Sequence, residues 1–347
     1  MQQAKNSTQT IHAFEWARAF GAIAVVLIHV FATLLDNADV ATVGVPTALA
    51  WSEIQIVIAR WAVPVFFMIT GALLLDPRKE LPWEKLVGHI KRISIAIVLF
   101  GYPFCLAEAI ANAGTIGFGV LLDALTNLLS VRSWSHMWYL YALLGLYLLT
   151  PVLRAFVAQA TAQEQGRAVL ILFLLTCVVP TLNSALGTRF TTLVWVTSSV
   201  FYYLLGYYAF TYARLTNAML ITGAICILFV CVATGVSIVV NQDYLNYLRA
   251  PACCLIAPYS YTVFLLFKQY FSRPVVSPFM KTVARNSFGI YLTHPIFLNV
   301  LYKVFDWIPG KTVPHVIFEL CAFAIAFIGA LVLTSVLRRL PVLRNVL

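Results

Sequence analysis

The stretch FEWARAFGAIAVVLIHV, Phe14 to Val30, decides the fold. Small or apolar residues fill every position between Arg18 and His29. The run shows no strand-like alternation, and it is too long for a buried strand. It reads as the first helical crossing of a lipid bilayer, for which roughly 20 residues suffice. An arginine and a histidine inside such a span then need a reason, because an ionisable group at mid-bilayer costs about 2.5–3.5 kcal/mol on insertion scales.

The rest of the chain repeats the pattern. Of its 347 residues 61% are hydrophobic and only 10% are charged, where a soluble domain carries about a quarter. The expected fold is therefore all-α, a polytopic membrane bundle forming one transmembrane domain over residues 1–347. Ten spans are expected at 14–35, 53–75, 93–111, 137–157, 168–186, 192–212, 217–240, 251–271, 286–304 and 313–337. Asp123, Asn127 and Arg132 interrupt the stretch 115–135, which reads as an amphipathic interfacial segment, with an extra span as the alternative. The first dozen residues, MQQAKNSTQTIH, have the composition of a disordered tail. No cleavable signal peptide is expected, since the first apolar run is too long for one.

The net charge of +10 does not indicate a nucleic-acid partner, because no long Lys/Arg block exists and the basic residues flank apolar spans. Orientation explains them. With the N-terminus cytoplasmic, 17 of the 23 lysines and arginines fall inside and 5 outside, and Arg60 lies within a span. This bias places both termini in the cytoplasm and favours an even number of spans. Cys105, Cys177, Cys226, Cys231, Cys253, Cys254 and Cys321 lie in or beside apolar runs with no CxxC spacing, so neither disulfides nor a metal site is expected. Pro64, Pro103, Pro180, Pro258 and Pro295 fall inside spans. Each removes a backbone hydrogen bond, which is tolerated where the irregularity is buried or lines a cavity. No internal repeat of the transporter kind is evident.

The ionisable residues within spans are Arg18, His29, Arg60, Glu108, His294 and Glu319, with His136 at an outer edge. Eleven residues at 100° each bring Arg18 and His29 to one helix face, about 16 Å apart along the axis. Arg18 lies near the cytoplasmic end and His29 beyond the midplane. A planar guanidinium suits a phosphate, and an imidazole suits removal of a hydroxyl proton near neutral pH. A long donor with phosphates at one end and a reactive tip at the other spans such a gap, and acyl-coenzyme A has that shape. The plainer alternatives are a snorkelling arginine and a packing histidine.

In sequence order, FEWARAFGAIAVVLIHV, RWAVPVFFMITGALL (60–74), HMWYLYALLGLYLLTP (136–151), YYLLGYY (202–208) and SFGIYLTHPIFL (287–298) resemble successive blocks of the membrane acyltransferase-3 family. The resemblance covers most of the chain. It implies transfer of an acyl group, commonly acetyl, from cytoplasmic acyl-CoA to a hydroxyl of a cell-surface polysaccharide or lipid-linked glycan precursor. It also implies a multi-pass protein of the bacterial inner membrane. The nearer subgroup is the short stand-alone type, similar to the O-acetyltransferase of enterobacterial common antigen. On this resemblance Arg18 and His29 match the essential pair, Arg18 anchoring the CoA phosphates and His29 acting as general base. The chain departs from the family pattern at Val63, where some members carry a second arginine, and at Thr70, where serine is common.

Other roles are less determined. Arg60 either steadies a developing oxyanion, binds an acceptor phosphate, or pairs with Glu108 or Glu319. Glu319 either orients the His29 imidazole, as a carboxylate does in hydrolytic triads, or joins that ion pair. His136, with Trp134, Trp138 and Tyr139 beside it, fits an aromatic belt that a glycan also meets. His294 reads first as a structural hydrogen-bonding residue and second as a substrate contact. No serine elbow, HExxH or P-loop is present, so no nucleophilic serine, metal or bound cofactor is expected; acyl-CoA enters as a substrate. Direct transfer is favoured, with an acyl-histidine intermediate as the alternative. A multi-pass exporter or flippase of a glycan precursor is the competing reading.

Overall fold

The computed structural model describes residues 2–37, 44–132, 134–188, 197–240, 247–304 and 315–347. The starts of the expected spans at 192 and 313, and the outer charges Arg189, Lys311, Asp39, Asp243 and Asp306, lie outside these residues. Among the described residues every regular element is helical. In chain order these are α1 Gln2–Asn37, α2 Val45–Ile54, α3 Ala62–Leu74, α4 Trp83–Ala96, α5 Tyr102–Ala113, α6 Phe118–Leu129 and α7 Trp138–Gln159. There follow α8 Ala162–Phe173, α9 Val179–Leu186, α10 Ser198–Tyr212, α11 Asn217–Val239, α12 Ile256–Tyr270, α13 Pro278–Asn299, α14 His315–Leu337 and the short α15 Pro341–Arg344.

Seven stretches among the described residues are long and apolar enough to cross a membrane: His12–Ala32, Val45–Leu74, Trp83–Ala113, Trp138–Gln159, Ala162–Leu186, Asn217–Val239 and Ile317–Leu337. The chain is a multi-pass membrane protein. Three of the ten expected spans do not reach this standard. In α12 only 15 residues are helical, a rise of about 22 Å against a hydrocarbon core of about 30 Å, and α10 has 15 helical residues among those described, the start of its expected span lying outside them. Polar residues such as Lys281, Arg285, Asn286 and His294 dilute α13. The segment 115–135 holds the 12-residue α6, which rises only about 18 Å and is too short to cross. The first dozen residues depart from the disordered reading, since α1 continues back to Gln2. Once the apolar run has nucleated a helix, residues such as Ala, Gln and Lys extend it at little cost.

Among the described residues four π-helical turns interrupt the spans, at Gln55–Ala59, Ile97–Gly101, Leu174–Val178 and Val300–Val304. Two of them run directly into helices with a proline at the first or second position, Pro103 and Pro180. A wider turn accommodates the carbonyl that a proline leaves without an N–H. The expected proline irregularities therefore take the form of π turns at these two places.

The chain divides into two compact units, residues 1–75 with 160–333 and residues 76–159 with 334–347. In the first, α1 packs along α13. Ala19, Ala22, Val26 and Val30 meet Ile290, Leu298 and Leu301, joined by Phe318, Ala322 and Ala326 of α14. Helices α3 and α10 cross backbone to backbone: a Cβ on Gly71 would stand 1.8 Å from the Tyr203 carbonyl oxygen, and one on Gly206 would stand 2.0 Å from that of Met68. Such approach requires glycine, as at other small-residue crossings in membranes. The α10 C-terminus is held by Lys268 of α12, whose ammonium donates to the carbonyls of Ala209 (3.1 Å), Phe210 (2.7 Å) and Ala213 (2.7 Å).

In the second unit, α6 lies against α5, the Tyr102 hydroxyl donating to the Leu121 carbonyl at 3.4 Å. Phe104 stacks on Trp134 at 3.9 Å. A basic loop follows Leu75. Burial acts to raise the Asp76 pKa, but bonds from Arg78 to its carboxylate (2.8 and 3.0 Å) outweigh this and hold it below the usual aspartate range. Arg154 of α7 fastens the same loop by donating to the carbonyls of Asp76 and Lys79.

Candidate active site

The first unit holds five of the residues singled out from the sequence: Arg18, His29, Arg60, His294 and Glu319. Helix α1 is unbroken between Arg18 and His29, so the two share a face as the spacing predicts. Arg18 is half-buried. One turn further along, Gly21 faces the Phe66 ring of α3, which a Cβ there would meet at 2.8 Å.

His29 has a defined setting. Its Nδ1 lies 2.8 Å from the carbonyl oxygen of Val25, one turn back. A carbonyl only accepts, so Nδ1 carries the proton. In the neutral ring Nε2 is then the basic nitrogen. The carbonyl thus selects the tautomer, a task that a carboxylate performs in hydrolytic triads. His294 of α13 shows the same arrangement, its Nδ1 lying 3.0 Å from the Ile290 carbonyl oxygen. The two imidazoles are neighbours, with centroids 4.8 Å apart and planes inclined at 54°, and His294 is fully buried. The first and last of the sequence blocks therefore meet through their histidines.

Arg60 is the next residue of the arrangement. It follows the π turn Gln55–Ala59 and stands in a break before α3. The side chain of Gln55, buried at 1% exposure, ties it to α1. Arg60 Nη2 donates to Gln55 Oε1 at 2.6 Å, and Gln55 Nε2 donates to the Ile28 carbonyl at 2.8 Å. Ile28 immediately precedes His29, so this chain of bonds links Arg60 to the turn that carries the imidazole. The guanidinium makes no ion pair with a carboxylate among the described residues. Gln55 occupies that role, and the expected alternative of an Arg60–Glu319 pair is not realised. Glu108 is exposed and belongs to the second unit. Two side chains settle the carbonyls of the π turn: the Tyr259 hydroxyl donates to Val57, and the Trp61 indole donates to Ile58 at 2.7 Å.

Glu319 lies on α14, next in sequence to Phe318, which meets the ring of Tyr302 at 5.9 Å. The Glu319 Oε1 is buried without a hydrogen-bond partner among the described residues. The orienting contact of His29 is the Val25 carbonyl, and the ring beside it is that of His294. His136 and Trp138 belong to the second unit. His136 is buried on a short 3-10 turn, edge-on to Phe104 at 5.9 Å. Trp138 is 41% exposed and meets Tyr139 edge-on at 6.4 Å. Gln55 is the residue that attention to ionisable groups alone overlooks. Its signal in the sequence is an amide inside an apolar run, five residues before Arg60.

A protein-family model described as an acyltransferase domain matches residues 11–339. An amino-acid racemase of Enterococcus faecalis is 25% identical over 343 residues, a match covering 89% of this chain and 44% of that protein. The chain thus spans less than half the length of this curated relative. No solved structure matches.

Proposed function

The chain belongs to the acyltransferase-3 family, and from that premise we propose an O-acyltransferase that takes an acyl group, in the first instance acetyl, from cytoplasmic acyl-CoA. The acceptor is a hydroxyl of a surface polysaccharide or of a lipid-linked glycan precursor. The protein acts as one transmembrane domain of ten spans with both termini cytoplasmic, in the bacterial inner membrane. The observation that carries this reading is the bond from His29 Nδ1 to the Val25 carbonyl, which makes Nε2 the basic nitrogen, with Arg60 tied through Gln55 to the carbonyl of the preceding residue, Ile28.

The reaction then runs as follows. His29 Nε2 removes the proton of the acceptor hydroxyl while its oxygen attacks the thioester carbonyl. The C–O bond forms, and negative charge gathers on the carbonyl oxygen, where Arg60 opposes it. Collapse breaks the C–S bond, and the imidazolium returns its proton to the leaving thiolate. The products are the acyl ester and free CoA. Arg18, about 16 Å along α1 from His29, holds a phosphate of the donor at the cytoplasmic side. His294 packs the base. Glu319 is assigned to the catalytic group of the first unit as a supporting carboxylate, and in the second unit His136 and Trp138 are assigned to sugar contact, for which aromatic faces are suited.

The racemase relative does not favour racemisation here. The match covers under half of that protein, while the acyltransferase model extends over nearly the whole of this chain. The test is reconstitution. Purified protein in nanodiscs is supplied with isotopically labelled acetyl-CoA and lipid-linked glycan, and products are read by mass spectrometry. The labelled acetyl ester on the glycan is expected. Movement of the glycan across the bilayer with no covalent change would replace the enzyme by an exporter or flippase.

A further inference from the structure

Gln55 makes two hydrogen bonds that join different helical segments. It accepts from Arg60 at 2.6 Å and donates to the Ile28 carbonyl at 2.8 Å. Guanidinium only donates and a carbonyl only accepts, so the amide has a single orientation. The π turn sets this geometry. Gln55 opens it and Arg60 follows it, and the turn's freed carbonyls are satisfied by Tyr259 and Trp61. π turns inside helices recur at functional sites.

The choice of an amide has a chemical consequence. A carboxylate at position 55 would pair with Arg60 and spend its charge. An amide fixes the guanidinium by dipoles alone and leaves the net positive charge intact. Among the described residues no carboxylate forms an ion pair with Arg60. Keeping an arginine in a membrane span with its charge uncompensated is costly, and the cost is offset when an anion arrives. In the proposed reaction that anion is the oxygen of the tetrahedral intermediate.

We propose that Gln55 is a positioning residue, which ties Arg60 to the turn that carries His29 and holds it as a cation paired with no carboxylate among the described residues, so that it meets the developing oxyanion. This rests on the acyl-transfer reading above. The experiment is a double-mutant cycle in the reconstituted full-length protein, with Gln55→Met, Arg60→Met and the double variant. It is read as kcat and KM for acetyl-CoA and accompanied by size-exclusion profiles. Gln55→Met is expected to lower kcat by about 10- to 100-fold, in the range of a lost oxyanion contact, with KM for acetyl-CoA changed less than twofold. The double variant is expected to be no slower than Arg60→Met alone, because Gln55 acts only through Arg60.

Gln55→Glu supplies a second arm and decides the matter if Gln55→Met does not fold. It keeps an acceptor for Arg60 but neutralises the charge, so kcat is expected to fall although the protein stays monodisperse. Wild-type kcat in Gln55→Met or Gln55→Glu, or losses that multiply in the double variant, would overturn the proposal. Failure of the underlying reading is separate: wild type and His29→Ala would then be equally inactive, or equally active, whatever stands at position 55.

Discussion

A histidine in a membrane span is uncommon enough to ask what fixes its ring. At His29 the answer is main-chain chemistry, since the Val25 carbonyl takes the Nδ1 proton. The i, i+4 relation behind this bond is present in any helix, so it was open to reading once the helix was accepted. The neighbour on its other side was not. Nothing local in THPIFL announces that His294 will lie 4.8 Å from His29, because the approach depends on small residues on α1 that let α13 come close. Gln55 was harder still. A neutral amide costs less in lipid than a charge and attracts less notice, yet here it links Arg60 to α1. Arg18 carries the prediction at this scale. Arg18→Ala is expected to raise KM for acyl-CoA by about 10- to 100-fold, the loss of one charge-assisted bond of about 1.5–3 kcal/mol, with kcat little changed. Titration of the variant with acyl-CoA in detergent checks it.

At the scale of elements, the position of each span was largely legible, because hydropathy follows from composition. The irregularities were legible only in part. Pro103 and Pro180 mark helix breaks, but the π turn at Gln55–Ala59 has no proline within it and depends on Tyr259 and Trp61, one of them distant in sequence. The crossing of α3 with α10 rests on Gly71 and Gly206. Gly206→Leu would drive a side chain into the Met68 backbone, and is expected to abolish monodisperse protein in size-exclusion chromatography. Lys268 offers a milder test. Lys268→Met removes three donors from the end of α10 and is expected to lower the Tm in detergent by several degrees while kcat stays within about threefold.

For the whole molecule, the bilayer is the solvent that the sequence describes best. Seven stretches meet the length and apolarity of a crossing. The three expected spans that fall short, α10, α12 and α13, lie in the same unit as His29 and bear many of its buried contacts. A helix packed within protein needs less lipid-facing surface, so hydropathy understates α13, whereas α10 and α12 fall short in helical length among the described residues. Residue charge bears on orientation, and the excess of Lys and Arg assigned to the inner side leads to the expectation that both ends are cytoplasmic. A phosphatase–fluorescent protein pair fused in turn to Leu347 tests this. Fluorescence without phosphatase activity is expected; the reverse would require an odd number of crossings.

The central claim is that His29 takes the proton of the acceptor. Its most direct test is steady-state turnover by reconstituted His29→Ala, followed as CoA released and acyl ester formed, beside acyl-CoA binding by the same preparation. Binding is expected to persist while kcat falls by about 10²- to 10⁴-fold, the usual share of a general base. Turnover at the wild-type rate by a folded His29→Ala protein would contradict it.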